Sequence, residues 1–333
     1  MGNLKFVLWI CIFLLCSLQF QVECARVRPK YPLFTKLSFL RANASGAEAL
    51  AFDPRGGGPY AGVADGRILK YGGPHLGFQD FATTSPLRTK DECDGKAAPK
   101  CGRVAGLGFD YSSGNLYALD VYFGFFVVPP SGGPAIPVAT GFKGTNFSLP
   151  NALDIDQESQ IVYFTDAEKV FLSGNHTAIF ASNDTEGKVY KYEIKTKKIS
   201  LVLDGLTGPT GLAVSKDGDF LVISEFMKKR IRKFWLKGPK TNSLKTLITL
   251  PGAPDNIKRT ARGDFWVAVR VSQPETVEIV EAIGIRFNGG GRILEKLNFT
   301  AIYDGRMVTE VQEYSRKLYL ASASSDFIGV YRR

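Results

Sequence analysis

One pattern of apolar and polar positions recurs six times along the chain. Each copy has a segment in which every second residue is apolar, a polar turn that often contains glycine, and then a segment rich in aromatic and β-branched residues. Both segments are typical of β-strands, so each copy predicts two antiparallel strands joined by a tight turn. The copies begin at Glu48, Ala105, Asn151, Thr210, Asn256 and Thr309.

The spacing of the copies indicates the architecture. Their starts are separated by 57, 46, 59, 46 and 53 residues, and most copies are followed by further strand-like runs such as 66–71 and 187–194. Units of about four strands with this period are typical of propeller blades. We therefore expect an all-β chain, with residues 25–333 forming a single six-bladed β-propeller. An early strand around 37–41 should pair with the C-terminal segment FIGVYRR and close the ring.

The first 24 residues have a different pattern, with Lys5 followed by an apolar run from Phe6 to Phe20 and small residues near Ala25. The run is shorter than the roughly 20 residues of a membrane-spanning helix. This shape predicts a cleaved signal peptide, with an uncleaved anchor as the alternative. We expect residence in the secretory pathway, either in the vacuole or outside the cell, and no membrane span after cleavage.

Cysteines and glycosylation sequons agree with a secretory route. Three of the five cysteines lie within the first 24 residues, which leaves Cys93 and Cys101 as a pair. An even pair in an oxidising compartment predicts a disulfide. The chain also has five acceptor sequons, which predict N-glycosylation in that compartment. They lie at Asn43, Asn146, Asn175, Asn183 and Asn298.

Charge and histidine content exclude several function classes. Lysine and arginine number 42 against 32 aspartate and glutamate residues, a net charge of +10. A basic balance can indicate a nucleic-acid partner, but the predicted secretory entry argues against one. The only histidines are His75 and His176, so one copy of the chain cannot build a three-histidine zinc site. Their turn-like surroundings also argue against a serine–histidine–acid system.

The repeat predicts a ring of polar residues in the channel, because the innermost strand of each blade lines the propeller axis. The first residues of the copies should therefore converge, which makes Glu48, Asn151, Thr210 and Asn256 candidate channel residues. Carboxylate and amide oxygens are ligands that Ca²⁺ prefers, and Asp255 precedes Asn256. We therefore expect either a calcium site or side chains that hydrogen-bond to one another and to buried water. The candidate calcium ligands are Glu48, Asn151, Asp255 and Asn256.

The aromatic run after the second copy has two interpretations. Tyr122, Phe123, Phe125 and Phe126 follow one another closely, and such runs usually belong to the core. Because the run lies near the predicted channel mouth, Tyr122 and Phe123 are also candidates for an apolar pocket wall.

Several longer segments resemble the plant strictosidine synthase-like proteins. They include DGRILKYGGP, VYFTDA, GKVYKYEIKTK, RIRKFWLKGPK, PDNIKRTARGDFWVAV and VQEYSRKLYLAS. The resemblance covers essentially all of residues 25–333 and implies a six-bladed propeller, secretory or vacuolar residence, and a small-molecule pocket over the channel. More distantly, the chain resembles the calcium-dependent lactonase and esterase propellers related to paraoxonase.

The resemblance also implies roles for individual residues. Strictosidine synthase condenses tryptamine with the aldehyde secologanin and needs a base, and the family's catalytic glutamate falls on Thr309. Threonine cannot act as a base near neutral pH. Glu310 is adjacent, but side chains alternate along a strand, so it should point away from the channel unless a bulge turns it inward.

For the lactonase and esterase relatives, the candidate ligands named above match the metal pattern. Thr210 stands where those relatives have asparagine, and Phe123 stands near the place of their histidine. We therefore expect a strictosidine synthase-like small-molecule enzyme that does not form strictosidine itself. The alternatives are a calcium-dependent ester or lactone hydrolase and a non-catalytic propeller that binds a small molecule.

Overall fold

The computed structural model describes residues 34–167, 185–272 and 279–332. Over these ranges the chain forms six antiparallel units of four strands, here called blades 1 to 6, and one of them carries a short fifth strand. The innermost strands of successive blades contact one another, and that of blade 6 contacts that of blade 1. The predicted all-β, six-bladed propeller is therefore confirmed. The predicted signal peptide lies outside the described residues.

Blade 6 joins the two ends of the described chain. Its outermost strand, β1 (Phe34–Ser38), pairs antiparallel with Phe327–Arg332, so that Phe34 lies opposite Tyr331. The predicted closure is confirmed, although the early strand lies three residues before the expected 37–41. The chain leaves the sheet after Ser38 because residues Leu40–Ala42 form a 3₁₀ turn.

The first three blades are formed by residues 49–206. In each of these blades the first strand is the innermost one, because it contacts the first strands of the neighbouring blades. A two-residue strand, β9, adds to the outer edge of blade 1 in parallel. The strands are β2 (Ala49–Ala51), β3 (Tyr60–Gly62), β4 (Arg67–Tyr71) and β5 (Phe78–Thr83) with β9 (Gly133–Pro134) in blade 1; β6 (Val104–Phe109), β7 (Leu116–Asp120), β8 (Gly124–Val128) and β10 (Ile136–Ala139) in blade 2; a separate hairpin of β11 (Gly141–Phe142) and β12 (Thr145–Asn146); and β13 (Pro150–Asp156), β14 (Ile161–Asp166), β15 (Gly187–Glu193) and β16 (Lys198–Leu206) in blade 3.

Blades 4 to 6 follow the same order from the axis outward. Their strands are β17 (Gly211–Val214), β18 (Phe220–Glu225), β19 (Arg230–Trp235) and β20 (Leu244–Thr249) in blade 4; β21 (Ala253–Arg259), β22 (Phe265–Ser272), β23 (Ile279–Phe287) and β24 (Ile293–Asn298) in blade 5; and β25 (Glu310–Tyr314), β26 (Lys317–Ala321) and β27 (Phe327–Arg332) with β1 in blade 6.

Large apolar side chains fill the space between neighbouring blades. Phe125 of blade 2 stacks on Phe164 of blade 3 with ring centroids 5.0 Å apart. Trp266 of blade 5 is fully buried and packs with Val311 of blade 6. Burying such a side chain stabilises the fold by about 1.5–3 kcal/mol. These contacts hold the innermost strands in place and give the channel a rigid wall.

Among the residues that the structure describes, helix is confined to single turns, and two of these turns are joined by the disulfide. α1 (Lys90–Cys93) and a 3₁₀ turn (Pro99–Cys101) are joined by the bond between Cys93 and Cys101, which confirms the predicted pairing. A further α-helical turn, α2 (Thr300–Tyr303), follows β24. No helix of the described residues is long and apolar enough to cross a membrane.

Three of the five predicted glycosylation sites fall within the described residues. Asn43, Asn146 and Asn298 are exposed, as a glycan attachment site must be. Asn175 and Asn183 lie outside the described residues, as does His176. Glycosylation at all five positions stays a prediction.

Candidate functional site

Hydrogen bonds join three of the predicted ring residues at one end of the channel, which we call the upper mouth. The Asn256 side-chain amide donates to the Glu48 carbonyl oxygen at 3.1 Å, and the Thr309 hydroxyl donates to the same oxygen at 3.2 Å. The Asn256 backbone N–H donates to the Thr309 carbonyl at 3.1 Å. Blades 1, 5 and 6 are therefore held together at the axis by residues that open three copies of the repeat.

The remaining ring residues differ in their environment. The Thr210 hydroxyl donates to the Pro254 carbonyl at 3.1 Å and lies 3.3 Å from the Ser224 hydroxyl. Asn151 is buried, and its Oδ1 has no hydrogen-bond partner. Ala105 packs in an apolar cluster with neighbours such as Leu149 and contributes no polar atom.

Charged groups of both signs occupy the upper mouth. The buried Glu48 carboxylate accepts a hydrogen bond from the Arg103 guanidinium at 3.1 Å. Half-buried Asp255 has a pKa well above the usual range, because burial and the nearby Glu48 and Glu310 carboxylates disfavour its charge while Arg270 favours it. The Arg270 guanidinium also lies 5.0 Å from the Phe226 ring centroid. Two carboxyl groups and two guanidinium groups thus face one another across this end of the channel.

This donor set fits calcium poorly. Ca²⁺ takes six to eight oxygen ligands, several of them carboxylates, but the Glu48 carboxylate faces Arg103 and the Asn256 amide nitrogen faces a carbonyl. The guanidinium groups supply the positive charge that a metal would bring. The unpartnered Asn151 oxygen does suit a cation. Among the described residues, no group of three or more histidine, cysteine, aspartate or glutamate side chains is arranged to hold a metal ion. The calcium ligand set of Glu48, Asn151, Asp255 and Asn256 stays a prediction.

Glu310 lies at the channel axis, below the upper mouth. Its Oε1 accepts a hydrogen bond from the Leu50 N–H of blade 1 at 3.0 Å, and its Oε2 lies 3.3 Å from the Lys258 ammonium of blade 5. The expectation that Glu310 points away from the channel is therefore wrong. The pairing of Glu310 with Ala321 is regular, so no bulge is involved. Side chains alternate between the two faces of a strand, but near the axis both faces of an innermost strand lie against neighbouring blades. Alternation therefore does not direct the Glu310 side chain away from the channel.

Lys258 closes the channel beneath the ring. Besides Glu310, its ammonium contacts the carbonyl oxygens of Leu50 and Leu107, each at 3.3 Å. One lysine from blade 5 thus reaches blades 1, 2 and 6. Burial raises the pKa of Glu310 to about 7, although Lys258 and the Leu50 N–H lower it. Glu310 has no exposed surface, so it does not reach a substrate at the upper mouth in this conformation.

An aromatic cavity opens beside the upper mouth. It has a volume of about 470 Å³, and its walls include Tyr122, Phe123 and Phe147, with the exposed Asn146 at its rim. The structure therefore places the two predicted pocket residues in a cavity wall. Its volume falls in the range of small-molecule sites.

Asp120 connects this cavity to the charged mouth. One oxygen of its carboxylate accepts from the N–H groups of Tyr122 and Phe123, at 2.9 and 3.2 Å. The other accepts from the Arg103 N–H at 2.8 Å and from the Thr84 hydroxyl at 2.6 Å. A single buried carboxylate thus positions the aromatic turn and the arginine that pairs with Glu48.

Sequence reasoning missed Arg103, Asp120, Arg270 and Lys258, although the repeat carries a signal for two of them. An acid ends the second strand of blades 2, 3 and 4 and accepts a backbone N–H from the segment that enters the same blade. Blade 5 has Arg270 at the equivalent place in the sequence, because GDFWVAVR of blade 5 corresponds to GDFLVISE of blade 4, although β22 continues to Ser272. Comparing this sequence position across the copies would have identified both the acid at 120 and the arginine that replaces it in blade 5.

Comparison with known proteins gives the chain's relatives. A family model described as strictosidine synthase matches residues 151–239. The chain is 38% identical to the protein STRICTOSIDINE SYNTHASE-LIKE 10 of Arabidopsis thaliana, over 86% of this chain and 85% of that protein. It is 35% identical to strictosidine synthase of Catharanthus roseus, over 90% and 86% of the two chains. Among solved structures, a gluconolactonase from Xanthomonas campestris superposes with a TM-score of 0.66 over 90% of this chain and 89% of its own, at 13% identity. At that identity the likeness shows the fold alone.

Proposed function

Since this chain belongs to the strictosidine synthase-like family, we propose that it is a small-molecule enzyme of the secretory pathway that acts on a carbonyl compound at the upper mouth. The aromatic cavity would hold the apolar part of the substrate, and Arg103 would face its carbonyl oxygen. The observation that carries the proposal is the Asp120 carboxylate, which fixes the aromatic turn and Arg103 relative to each other. Such fixed positioning is what a catalytic site requires.

Strictosidine formation is not the reaction that we propose. The Thr309 hydroxyl is fully buried and donates to the Glu48 carbonyl, so no base stands at the position of the family's glutamate. The Glu48 carboxylate is already paired with Arg103. Neither group is available to take a proton from a substrate ammonium.

Within carbonyl chemistry, we propose hydrolysis of an ester or lactone without a metal ion. Water adds to the carbonyl carbon, the bond from that carbon to the alkoxide oxygen breaks, and the proton lost by the water reaches the alkoxide through solvent at the open mouth. A guanidinium group at the mouth suits the negative charge that develops on a carbonyl oxygen under attack by water. The Arg103 side chain is 28% exposed and retains donors beyond the one used by Glu48. Condensation with an amine is not proposed, because Thr309 supplies no base and the Glu48 carboxylate is paired with Arg103.

The test is turnover by the purified glycosylated protein. We would assay aryl esters and five- and six-membered lactones in chelator and in calcium, with tryptamine plus secologanin as the comparison reaction. Arg103→Gln should lower kcat/KM about 10²–10³-fold, the cost of removing an oxyanion donor. The exposed Arg292→Gln serves as the matched control and should leave turnover unchanged. Formation of strictosidine, or saturable binding of esters and lactones without product, would contradict the proposal.

A further inference from the structure

A second cavity lies at the opposite end of the channel, beneath Lys258, and we call it the lower cavity. It has a volume of about 120 Å³ and is lined by residues near the ends of the innermost strands of blades 1, 2, 3, 5 and 6. Phe52, Phe109 and Tyr111 give it aromatic walls, and Lys258, Arg259 and Gln312 line it with polar groups. The lysine separates this space from the upper mouth.

Two polar atoms among these lining residues are buried without a partner. Arg259 Nε is a buried donor with no hydrogen bond, and Gln312 Oε1 is a buried acceptor with none. Arg259 also forms no ion pair with any of the residues that the structure describes. Buried polar groups are almost always satisfied, by protein or by a bound molecule. A donor and an acceptor left open at one cavity therefore point to an occupant that carries both functions.

The charges around the lower cavity define that occupant further. Lys258 is matched by Glu310, and both oxygens of the Asp154 carboxylate accept backbone N–H groups, from Ile155 and Val214. Asp154 is therefore a carboxylate of the wall that is held by neutral N–H groups, and Arg259 is the wall cation without an ion-pair partner among the described residues. An anionic group on the ligand would supply one, and Gln312 would then accept from a donor on the same molecule.

We propose that the lower cavity binds a small carboxylate that also carries a hydrogen-bond donor, an α-hydroxy or α-amino acid. Its carboxylate would accept from Arg259, and its hydroxyl or ammonium would donate to Gln312. The size agrees, since an apolar cavity of about 150 Å³ holds one benzene molecule. This site is separate from the upper mouth, so the inference does not depend on the proposed hydrolysis.

The experiment measures binding of glycolate, glycine and acetate to the full glycosylated protein by saturation-transfer NMR and calorimetry. Glycolate or glycine should bind saturably at one site, and acetate, which lacks the donor, should bind several-fold more weakly. Comparing glycolate with glycine distinguishes the two ligand types. Saturable binding of none of the three would overturn the proposal and identify the cavity as a site for water alone.

Two variants locate the binding. Arg259→Gln should weaken binding of glycolate at least tenfold, because it removes a charge-assisted hydrogen bond, whereas the exposed Arg262→Gln on the following turn should have no effect. Gln312→Leu should remove the preference for glycolate over acetate and keeps the proposal testable if Arg259→Gln does not fold. Equal affinity in the native protein and in Arg259→Gln would place the binding elsewhere and overturn the assignment. Ester turnover should be unchanged in all three variants.

Discussion

Replacing Lys258 by methionine tests how the channel is held closed. The substitution keeps most of the side-chain length but removes the ammonium that contacts Glu310 and the carbonyl oxygens of Leu50 and Leu107. It leaves a carboxyl group with no exposed surface beside two unpaired carbonyls. We expect a loss of stability that depends on pH, since Glu310 can be neutral or charged.

The magnitude follows from the pKa of Glu310. In the native protein this pKa is raised from 4.5 to about 7, so ionisation of Glu310 lowers stability between about pH 4.5 and 7 and has no further effect above 7. Without Lys258 the pKa should rise further, and stability should keep falling above pH 7 by up to about 1.4 kcal/mol per pH unit. The two lost carbonyl contacts add about 1–2 kcal/mol at every pH. Lys258→Met should therefore lower the free energy of unfolding by about 1–2 kcal/mol at pH 5.5 and by about 3–4 kcal/mol at pH 8.5. The larger value agrees with the cost of breaking a buried ion pair.

The assay is equilibrium unfolding in urea at pH 5.5, 7 and 8.5, with the exposed Lys216→Met as the matched control. In the variant that combines Lys258→Met with Glu310→Gln, the loss of unfolding free energy should no longer depend on pH. The loss of about 1–2 kcal/mol from the two carbonyl contacts should remain. The reasoning would be refuted if the difference in unfolding free energy between the native protein and Lys258→Met were the same from pH 5.5 to 8.5. It would also be refuted if a pH-dependent difference persisted in the double variant.

Three further substitutions test other parts of the structure. Cys93→Ser should lower the free energy of unfolding by about 2.5 kcal/mol, because it opens a short loop; urea unfolding with and without reductant checks this, and an unchanged midpoint would contradict it. Trp266→Ala should cost about 3–5 kcal/mol, since the indole is fully buried and donates to Glu313 at 3.2 Å; a loss below 1 kcal/mol would show that the site relaxes. Asp120→Asn should cost about 2–3 kcal/mol and lower kcat/KM for esters, because its new amide faces N–H donors. Stability loss with unchanged kcat/KM would show that Asp120 does not position the site.

The repeat predicts most of the fold because each blade is encoded locally. Alternation and turn residues mark both inner strands of every copy, and the recurrence of the copies every 46 to 59 residues indicates radial closure. The exact limits of β1 do not follow from alternation, since apolar residues continue through Phe39 and Leu40 while pairing is decided by the partner strand, Phe327–Arg332.

The site is predicted less completely, because it depends on contacts between blades. The repeat brings Glu48, Asn256 and Thr309 together, but it does not show that Asn256 and Thr309 share the Glu48 carbonyl. Arg103 precedes its strand and has no place in the repeated pattern. Lys258 lies one residue before the end of β21, and only the three-dimensional ring reveals that its side chain crosses to three other blades.

The central claim is that protein groups balance the charge at the axis, with Arg103 and Arg270 at the upper mouth and Lys258 below them. The most direct test is calcium content after dialysis, together with the melting temperature in calcium and in chelator. We predict protein without stoichiometric calcium and the same melting temperature in both buffers. One bound calcium per chain, with a melting temperature that falls in chelator, would contradict the claim and make Glu48, Asn151, Asp255 and Asn256 the ligands.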